Sequence, residues 1–401
     1  MKQEQLANLP IEWKRGSGLR KSDLELDGKN KCILYGELYT KHKNVLINSN
    51  NISKTNKIGT ICSKEGDILI PGTSTASKKD MLLAREIDEE GVFLGGDINI
   101  IRPTKGLFAK KYLPYFFETS SAYDQLDKYI TGATGIIHIS NSGLKNLKIP
   151  LPPLKEQKRI VSILDKCFSA IAIAKANAEQ CLSLSKALFE NYLQEIFEKK
   201  GEGWKEKKVL EIGKVQTGTT PKTAEIENYG NFIPFVKPAD VDFSGIGDIR
   251  YDNEGLSEIG LKKGRKLESD SILMVCIGAT IGKVGFSECE VSCNQQINSL
   301  TVKKEFEPKF IYYAMTSKEF QEKVLLEGKG AQATLPIINK SKWENLTISF
   351  PKNRSVQQRI VKKLDALRAE TQKLEDIYQQ KIEELEDLKK SILQKAFNGE
   401  L

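Results

Sequence analysis

Histidine is almost absent: His42 and His138 are the only two in 401 residues. Two imidazoles leave little for acid-base work, and neither HExxH nor GxSxG occurs, so metallohydrolase and serine-hydrolase readings have little support. The seven cysteines (Cys32, Cys62, Cys167, Cys181, Cys276, Cys289, Cys293) are odd in number and contain no CxxC. A disulfide frame or Cys-rich zinc site is therefore disfavoured, and reduced thiols are expected. Cys289 and Cys293 have only the two histidines to complete a metal shell, so they read as ordinary part-buried cysteines. No run approaches the roughly 18 apolar residues of a membrane span, and Met1 to Pro10 lacks the apolar stretch of a signal peptide. The expectation is a cytoplasmic protein with no membrane partner.

What is present suits a folded chain of two to three domains: 39% hydrophobic, 28% charged, mean hydropathy −0.38. The formal charge of +8 permits a polyanionic partner, but spread over 61 basic and 53 acidic side chains it equally suits a solvated, well-mixed surface.

The chain repeats itself. Gln157 to Asp165 (QKRIVSILD) and Gln357 to Asp365 (QQRIVKKLD) match at six of nine positions, 200 residues apart. Upstream, Leu144 to Ile149 resembles Trp343 to Ile348, each soon followed by proline (Pro150, Pro152, Pro153; Pro351). Gly66 to Ile70 resembles Asp270 to Val275, and Glu12-Trp13-Lys14 is echoed by Gly203-Trp204-Lys205. Each half reads as a domain, a proline boundary and a long helix.

The helices carry heptad-like steps. Ile360, Leu364, Leu367, Thr371, Leu374, Tyr378, Lys381, Leu385, Leu388 and Ile392 alternate by four and three, and the counterparts are Ile160, Leu164, Cys167, Ile171, Ala174, Ala178, Cys181, Ser185, Leu188 and Tyr192. No glycine or proline interrupts Lys155 to Lys200 or Asn353 to Phe397, and Gly201 and Gly399 follow the two ends. Some 40 residues at about 1.5 Å each make a rod of roughly 60 Å. A domain of about 150 residues, with a radius of gyration near 15 Å, cannot carry the chain back along such a rod. The two helices are therefore expected to pack antiparallel, related by a pseudo-two-fold axis. The alternative is two independent coiled coils that dimerise with other molecules.

The expected fold class is α+β: two mixed α/β domains joined by two long helices packed as an antiparallel coiled coil. The boundaries are 1–152 for the first domain, 153–200 for the central helix, 201–351 for the second domain and 352–401 for the C-terminal helix. Lys64 to Pro71, Val92 to Ile101, Ser271 to Ile277 and Gln296 to Val302 read as strands. Tyr112 to Phe117, Ser120 to Leu126, Phe310 to Ala314 and Phe320 to Leu326 read as helices with core-facing aromatics.

No catalytic, cofactor-binding or metal-ligating constellation emerges. Gly278-Ala-Thr-Ile-Gly-Lys283 is one residue short of GxxxxGK, and Val284 stands where a magnesium-binding Ser/Thr would be. Phe93-Leu-Gly-Gly-Asp97 lacks GxGxxG spacing, no Asn/Asp-Pro-Pro-aromatic tetrapeptide occurs, and the acid pairs Asp240/Asp242 and Glu288/Glu290 read as solvated. What remains are basic, hydroxyl-bearing, glycine-punctuated loops, whose backbones approach phosphate closely and whose Lys/Arg release counterions. The candidate DNA contacts are Thr73, Ser74, Thr75, Lys78, Lys79, Arg85, Arg102 and Lys105 in the first half. In the second half they are Thr217, Thr219, Thr220, Lys222, Lys263, Arg265, Thr280 and Lys283.

Taken together, GDILI and SDSILMV, GATIGKVG, Asn294 to Asn298, the repeated PLPPLKEQKRIVSILD and FPKNRSVQQRIVKKLD, and the terminal Ile392 to Leu401 resemble the specificity subunits of type I restriction-modification enzymes. The first half departs from the pattern, with GTSTASKK against IGATIGKV and Gly95-Gly-Asp97 against Asn294-Gln-Gln296. The resemblance implies two target-recognition domains, each reading half of a split site on double-stranded DNA, and a helical ruler that sets the unspecified gap. It implies two modification subunits that methylate adenine with S-adenosylmethionine, and restriction subunits that use ATP and Mg2+, with no cofactor in this chain. Two other readings stay open: a coiled-coil scaffold without sequence-specific DNA binding, and a free-standing methyltransferase-nuclease, which the missing motifs oppose.

Overall fold

The computed structural model describes residues 2–75, 77–133, 135–242, 247–328 and 336–401. The chain divides into two compact units: Met1–Glu179 with Gln379–Leu401, and Gln180–Tyr378.

In the first unit an antiparallel sheet runs in the order Ile11–Arg15, Ile98–Pro103, Asp67–Pro71, Arg85–Ile87. The strand Asp67–Pro71 is buried on both faces, which is why it reads as an unbroken apolar run rather than an alternation. Successive side chains still point oppositely. Ile68 and Ile70 pack with Tyr112, Leu113, Phe116 and Phe117 of the helix Tyr112–Phe117, while Leu69 joins Ile33, Leu38 and Leu94 on the other face. The far layer is a smaller sheet of Ser53–Thr55, Asn30–Ile33 and Phe93–Leu94, the last pair parallel. Gln3–Gln5 pairs with Lys148–Pro150 and closes the unit.

The second unit rebuilds each layer. Its sheet runs Gly213–Thr217, Ile297–Val302, Ser271–Val275, Val284–Phe286. Ile272 and Met274 face Phe310 and Trp343, and Leu273 and Val275 face Val236 and Val291. Gly255–Leu256, Tyr229–Val236 and Ser292–Cys293 form the smaller sheet, again with one parallel pair, and Trp204–Lys208 pairs with Thr347–Pro351. The topology corrects one proposed match. Trp204 lies in the strand equivalent to Gln3–Gln5, whereas Trp13 lies in the next one, so the shared Trp-Lys is coincidental.

Two helices extend over Leu154–Lys199 and Arg354–Asn398. Gly399 ends the second with φ +84°, the left-handed cap that a residue without Cβ adopts cheaply. The repeated motif is a docking device. Gln157 is buried; its amide accepts from Ala109 N–H (2.8 Å) and donates to Pro152 O (3.0 Å) and Leu107 O (3.3 Å). Gln357 does the same with Glu307 N–H and Pro351 O, both at 2.8 Å. Asp165 accepts from Tyr115 Oη (2.6 Å) and Lys111 Nζ (2.9 Å), and Asp365 from Tyr313 Oη (2.6 Å) and Lys309 Nζ (3.1 Å).

The opposite helix ends dock as well. In the first unit Phe397 stacks against Tyr112 and Phe116, with ring centroids 5.1 Å from each. In the second, Phe197 packs against Phe310 at 5.5 Å and Trp204 at 5.9 Å. Each unit therefore clamps the start of one long helix and the end of the other, and within each unit the two run antiparallel. Arg159 meets Leu401 and Lys175 meets Glu386 in the first, and Arg368 lies 5.3 Å over the Phe189 ring in the second.

The heptad reading needs a correction. Ile160, Leu164, Leu364 and Leu385 are buried, and Ile171, Ile360 and Leu367 are half-buried, but Leu188, Leu374 and Leu388 are exposed (51%, 39% and 47%). The inward positions are Val161, Leu164, Phe168, Ile171, Lys175 and Ala178 in the first helix, and Val361, Leu364, Arg368, Thr371, Glu375 and Tyr378 in the second. At Leu188, Leu374 and Leu388 the residue turned inward is the next one, Phe189, Glu375 and Lys389. Long cationic stems (Arg368 over Phe189, Lys389 at 5.0 Å over Phe168) occupy places that the pattern assigned to leucine.

Candidate nucleic-acid interface

Among the described residues no group of three or more His, Cys, Asp or Glu is placed to hold a metal ion. The candidate residues themselves offer hydrogen bonding and charge. In the first unit several expected contacts prove structural. Thr73 and Ser74 are buried in the strand Thr73–Ser74, with Thr73 Oγ1 3.0 Å from His138 Nδ1. Arg85 is 3% exposed and donates to His42 O (2.8 Å), Ala84 O (3.1 Å) and Glu118 (3.4 Å); burial depresses its pKa and Glu118 opposes that. Arg102 grips Asp67 with two bonds of 2.7 Å, and these hydrogen bonds raise its pKa. A buried arginine must be paired, and sequence alone cannot separate such a group from a phosphate contact. Thr75, Lys78, Lys79 and Lys105 are exposed, Lys78 being paired with Asp127 at 2.7 Å.

In the second unit the structure draws some candidates together. Thr217, Thr219 and Thr220 form a turn against Cys293–Gln296: Thr219 N–H donates to Cys293 O (2.9 Å), and Thr220 Oγ1 donates to Gln295 Oε1. Thr217 Oγ1 donates to Asn298 Oδ1 at 2.7 Å. Gly218 is obligatory, because a Cβ there would lie 2.0 Å from Asn294 O. Burial pushes Cys276 and Cys293 up to about 12, so the sulfurs beside this turn stay protonated. Arg265 is exposed and acts electrostatically on Cys293. Lys222 and Lys263 both pair with Glu225. Thr280 and Lys283 lie apart, in the hairpin after Val275, where Lys283 Nζ reaches Asp242 O at 3.4 Å.

The same frame recurs in the first unit at residues that were not candidates. Gly16 N–H donates to Ile98 O (2.9 Å) as Gly218 does to Ile297 O (3.0 Å), and Ser17 N–H donates to Leu94 O as Thr219 does to Cys293 O. Gly95 N–H meets Ile33 O as Asn294 N–H meets Val236 O, and Gly72 N–H meets Asp97 O as Cys276 N–H meets Gln296 O. A Cβ on Gly16 would also lie 2.0 Å from a facing carbonyl, that of Gly95. The backbone is thus held constant while the exposed chemistry changes. The first turn carries Arg15, bonded to Asp97 at 2.6 Å, and Ser17 bonded to Thr60; the second carries Thr219, Thr220, Gln295 and Gln296. The available signal was a strand running into X-Gly-Ser/Thr in both halves. A fixed 200-residue offset hides it, because Gly16 and Gly218 are 202 apart.

A protein that builds one polar, glycine-pinned turn twice, on matching scaffolds with different side chains, belongs to the class of duplicated recognition proteins. The chain belongs to the type I restriction modification DNA specificity domain family, whose model matches residues 1–182 and again 201–386. Among its relatives, a putative type I restriction enzyme MjaX specificity subunit of Methanocaldococcus jannaschii is 24% identical over 84% of this chain and 78% of its own length. The EcoR124I/EcoR124II specificity subunit of Escherichia coli is 31% identical over 57% of this chain and 56% of its own. A solved chain from work on complex assembly and conformational transition of the type I R-M system shares the fold over 100% of this chain and 98% of its own, at a TM-score of 0.77 and 19% identity. The HsdS subunit from Thermoanaerobacter tengcongensis does so over 100% and 97%, at 0.59 and 18%.

Proposed function

We propose that this chain is the DNA specificity subunit of a type I restriction-modification complex and is itself non-catalytic. Each unit reads one half of a bipartite duplex target, and the two long helices act as the ruler for the unspecified gap. The observation that carries this reading is the duplicated turn, a constant backbone frame presenting two different sets of donors and acceptors in a chain matched twice by a DNA specificity family. Direct readout needs that combination: a rigid approach to base edges and side chains that differ with the bases read. The helices are continuous over 46 and 45 residues, on the order of 70 Å at about 1.5 Å per residue, enough to space two readers by one to two turns of DNA. Two modification subunits supply adenine methylation with S-adenosylmethionine, and restriction subunits supply ATP- and Mg2+-dependent translocation and cleavage, all in the cytoplasm.

Methylome sequencing of cells expressing this chain with its modification partner tests the reading. A motif of two short half-sites separated by a fixed gap is expected. Gel-shift binding by that complex with no sequence preference would instead favour a coiled-coil scaffold.

A further inference from the structure

We propose that the duplicated turn is the base-reading edge of each unit, and that its side chains assign the base class: adenine at Gln295 in the second unit, guanine at Arg15 in the first. The inference rests on the DNA-reading function proposed above and adds where, and to which bases, contact is made.

Three observations carry it. First, the turn is rigid where a reader must be rigid. Gly218 and Gly16 each lie so close to a facing carbonyl that no Cβ fits, and the four backbone hydrogen bonds described above recur in both units. Second, the polar groups that project from that frame differ between the units. Gly95, Gly96 and Asp97 stand where Asn294, Gln295 and Gln296 stand, and the positions beneath are buried in both units: Leu94 and Ile98, Cys293 and Ile297. Third, the projecting groups are exposed and already oriented. Gln295 is exposed, and Thr220 donates to its Oε1. An amide oxygen keeps a second lone pair, so Oε1 and the Nε2 hydrogens form the acceptor–donor pair that matches adenine N6 and N7 in the major groove. Arg15 is about half exposed and held by one bond to Asp97. Its other guanidinium hydrogens form the donor fork that matches guanine O6 and N7.

The test uses the full chain in complex with its modification subunits, selecting from a randomised duplex pool, with the methylome of expressing cells as a second readout. Wild type is expected to specify an A·T pair at one position of one half-site and a G·C pair at one position of the other. Gln295→Ala should relax the A·T position alone, by about 5- to 150-fold, the equivalent of about 1–3 kcal/mol at about 1.4 kcal/mol per tenfold. Gln295→Glu should move the preference at that position from adenine toward cytosine, since a carboxylate accepts from cytosine N4. Arg15→Ala should relax the G·C position and leave the other half-site and the gap unchanged. An unaltered motif in both alanine variants would overturn the proposal, and so would binding weakened equally on every sequence, which marks a phosphate contact. A wild-type complex with no sequence preference would be a different failure, that of the specificity function itself.

Discussion

Gly218 lies against backbone on the side where any other residue would carry its Cβ, 2.0 Å from Asn294 O and 2.3 Å from Cys293 O. Neither neighbour is a flexible side-chain end, so Gly218→Ala must displace the turn, at a cost of about 1–3 kcal/mol. Gly18, with φ +83° and open space around it, should cost only the left-handed penalty on going to Ala, about 1–2 kcal/mol. Urea unfolding of both variants checks the order, and an innocuous Gly218→Ala would refute the close-packing account. Glu86 is the second residue with a sharp consequence. It is 6% exposed and accepts from Lys111 N–H, and burial pushes its carboxyl up to about 7, Lys111 and Lys110 opposing and Asp88 assisting. A carboxyl whose pKa is raised in the folded state binds its proton more tightly there. Its stability contribution is therefore fully present below about pH 4.5, declines as pH rises to about 7, and is flat above, a loss of about 3 kcal/mol. Gln keeps an acceptor for Lys111 without the charge. Glu86→Gln should thus gain on wild type progressively between pH 5 and 7.5. The difference between the two proteins is the readout, because buried His42, with its pKa lowered by desolvation, changes stability in the opposite sense. A pH-independent difference would rule this account out.

At the scale of elements, the long helices are held by their ends. Phe397 fills a pocket between Tyr112 and Phe116, and Phe197 fills the equivalent one beside Phe310 and Trp204. Truncating a buried phenylalanine to Ala costs about 3–5 kcal/mol. Phe397→Ala should therefore speed amide exchange across Tyr112–Phe117 and leave Pro308–Thr316 protected, while Phe197→Ala does the reverse. Equal loosening of both helices in either variant would contradict the clamp. Strands and helices were the legible part of these elements, since an apolar run such as Asp67–Pro71 and the uninterrupted stretches after Pro153 and Pro351 announce themselves. Seam phase was not legible. Leu188, Leu374 and Leu388 look like core by type, yet Arg368 and Lys389 turn inward because each finds an aromatic face on the other helix within its unit. A pattern read on one helix cannot see that face.

For the whole molecule, the ruler reading makes a length prediction. Inserting one heptad into each long helix, at positions that keep both seams in phase, adds about 10 Å, or about 3 base pairs at about 3.4 Å each. The methylated motif should then keep both half-sites with a correspondingly longer gap. Altered half-sites, or an unchanged gap, would separate spacing from the helices.

The sequence by itself determined the duplication, the two long helices, the absence of the usual catalytic motifs and, through the motifs at Gln157 and Gln357, the family. These are signals of local pattern, set by periodicity and by a docking chemistry repeated 200 residues apart. Only the tertiary structure decided which polar groups are buried and which are exposed. Arg85 and Arg102 have the composition of phosphate contacts but are spent on His42 O, Glu118 and Asp67, whereas Arg15 and Gln295 project from a turn assembled from segments far apart in the chain. Whether a charge is buried and paired or exposed and oriented depends on which distant backbone comes to face it, and residue type and spacing do not encode that.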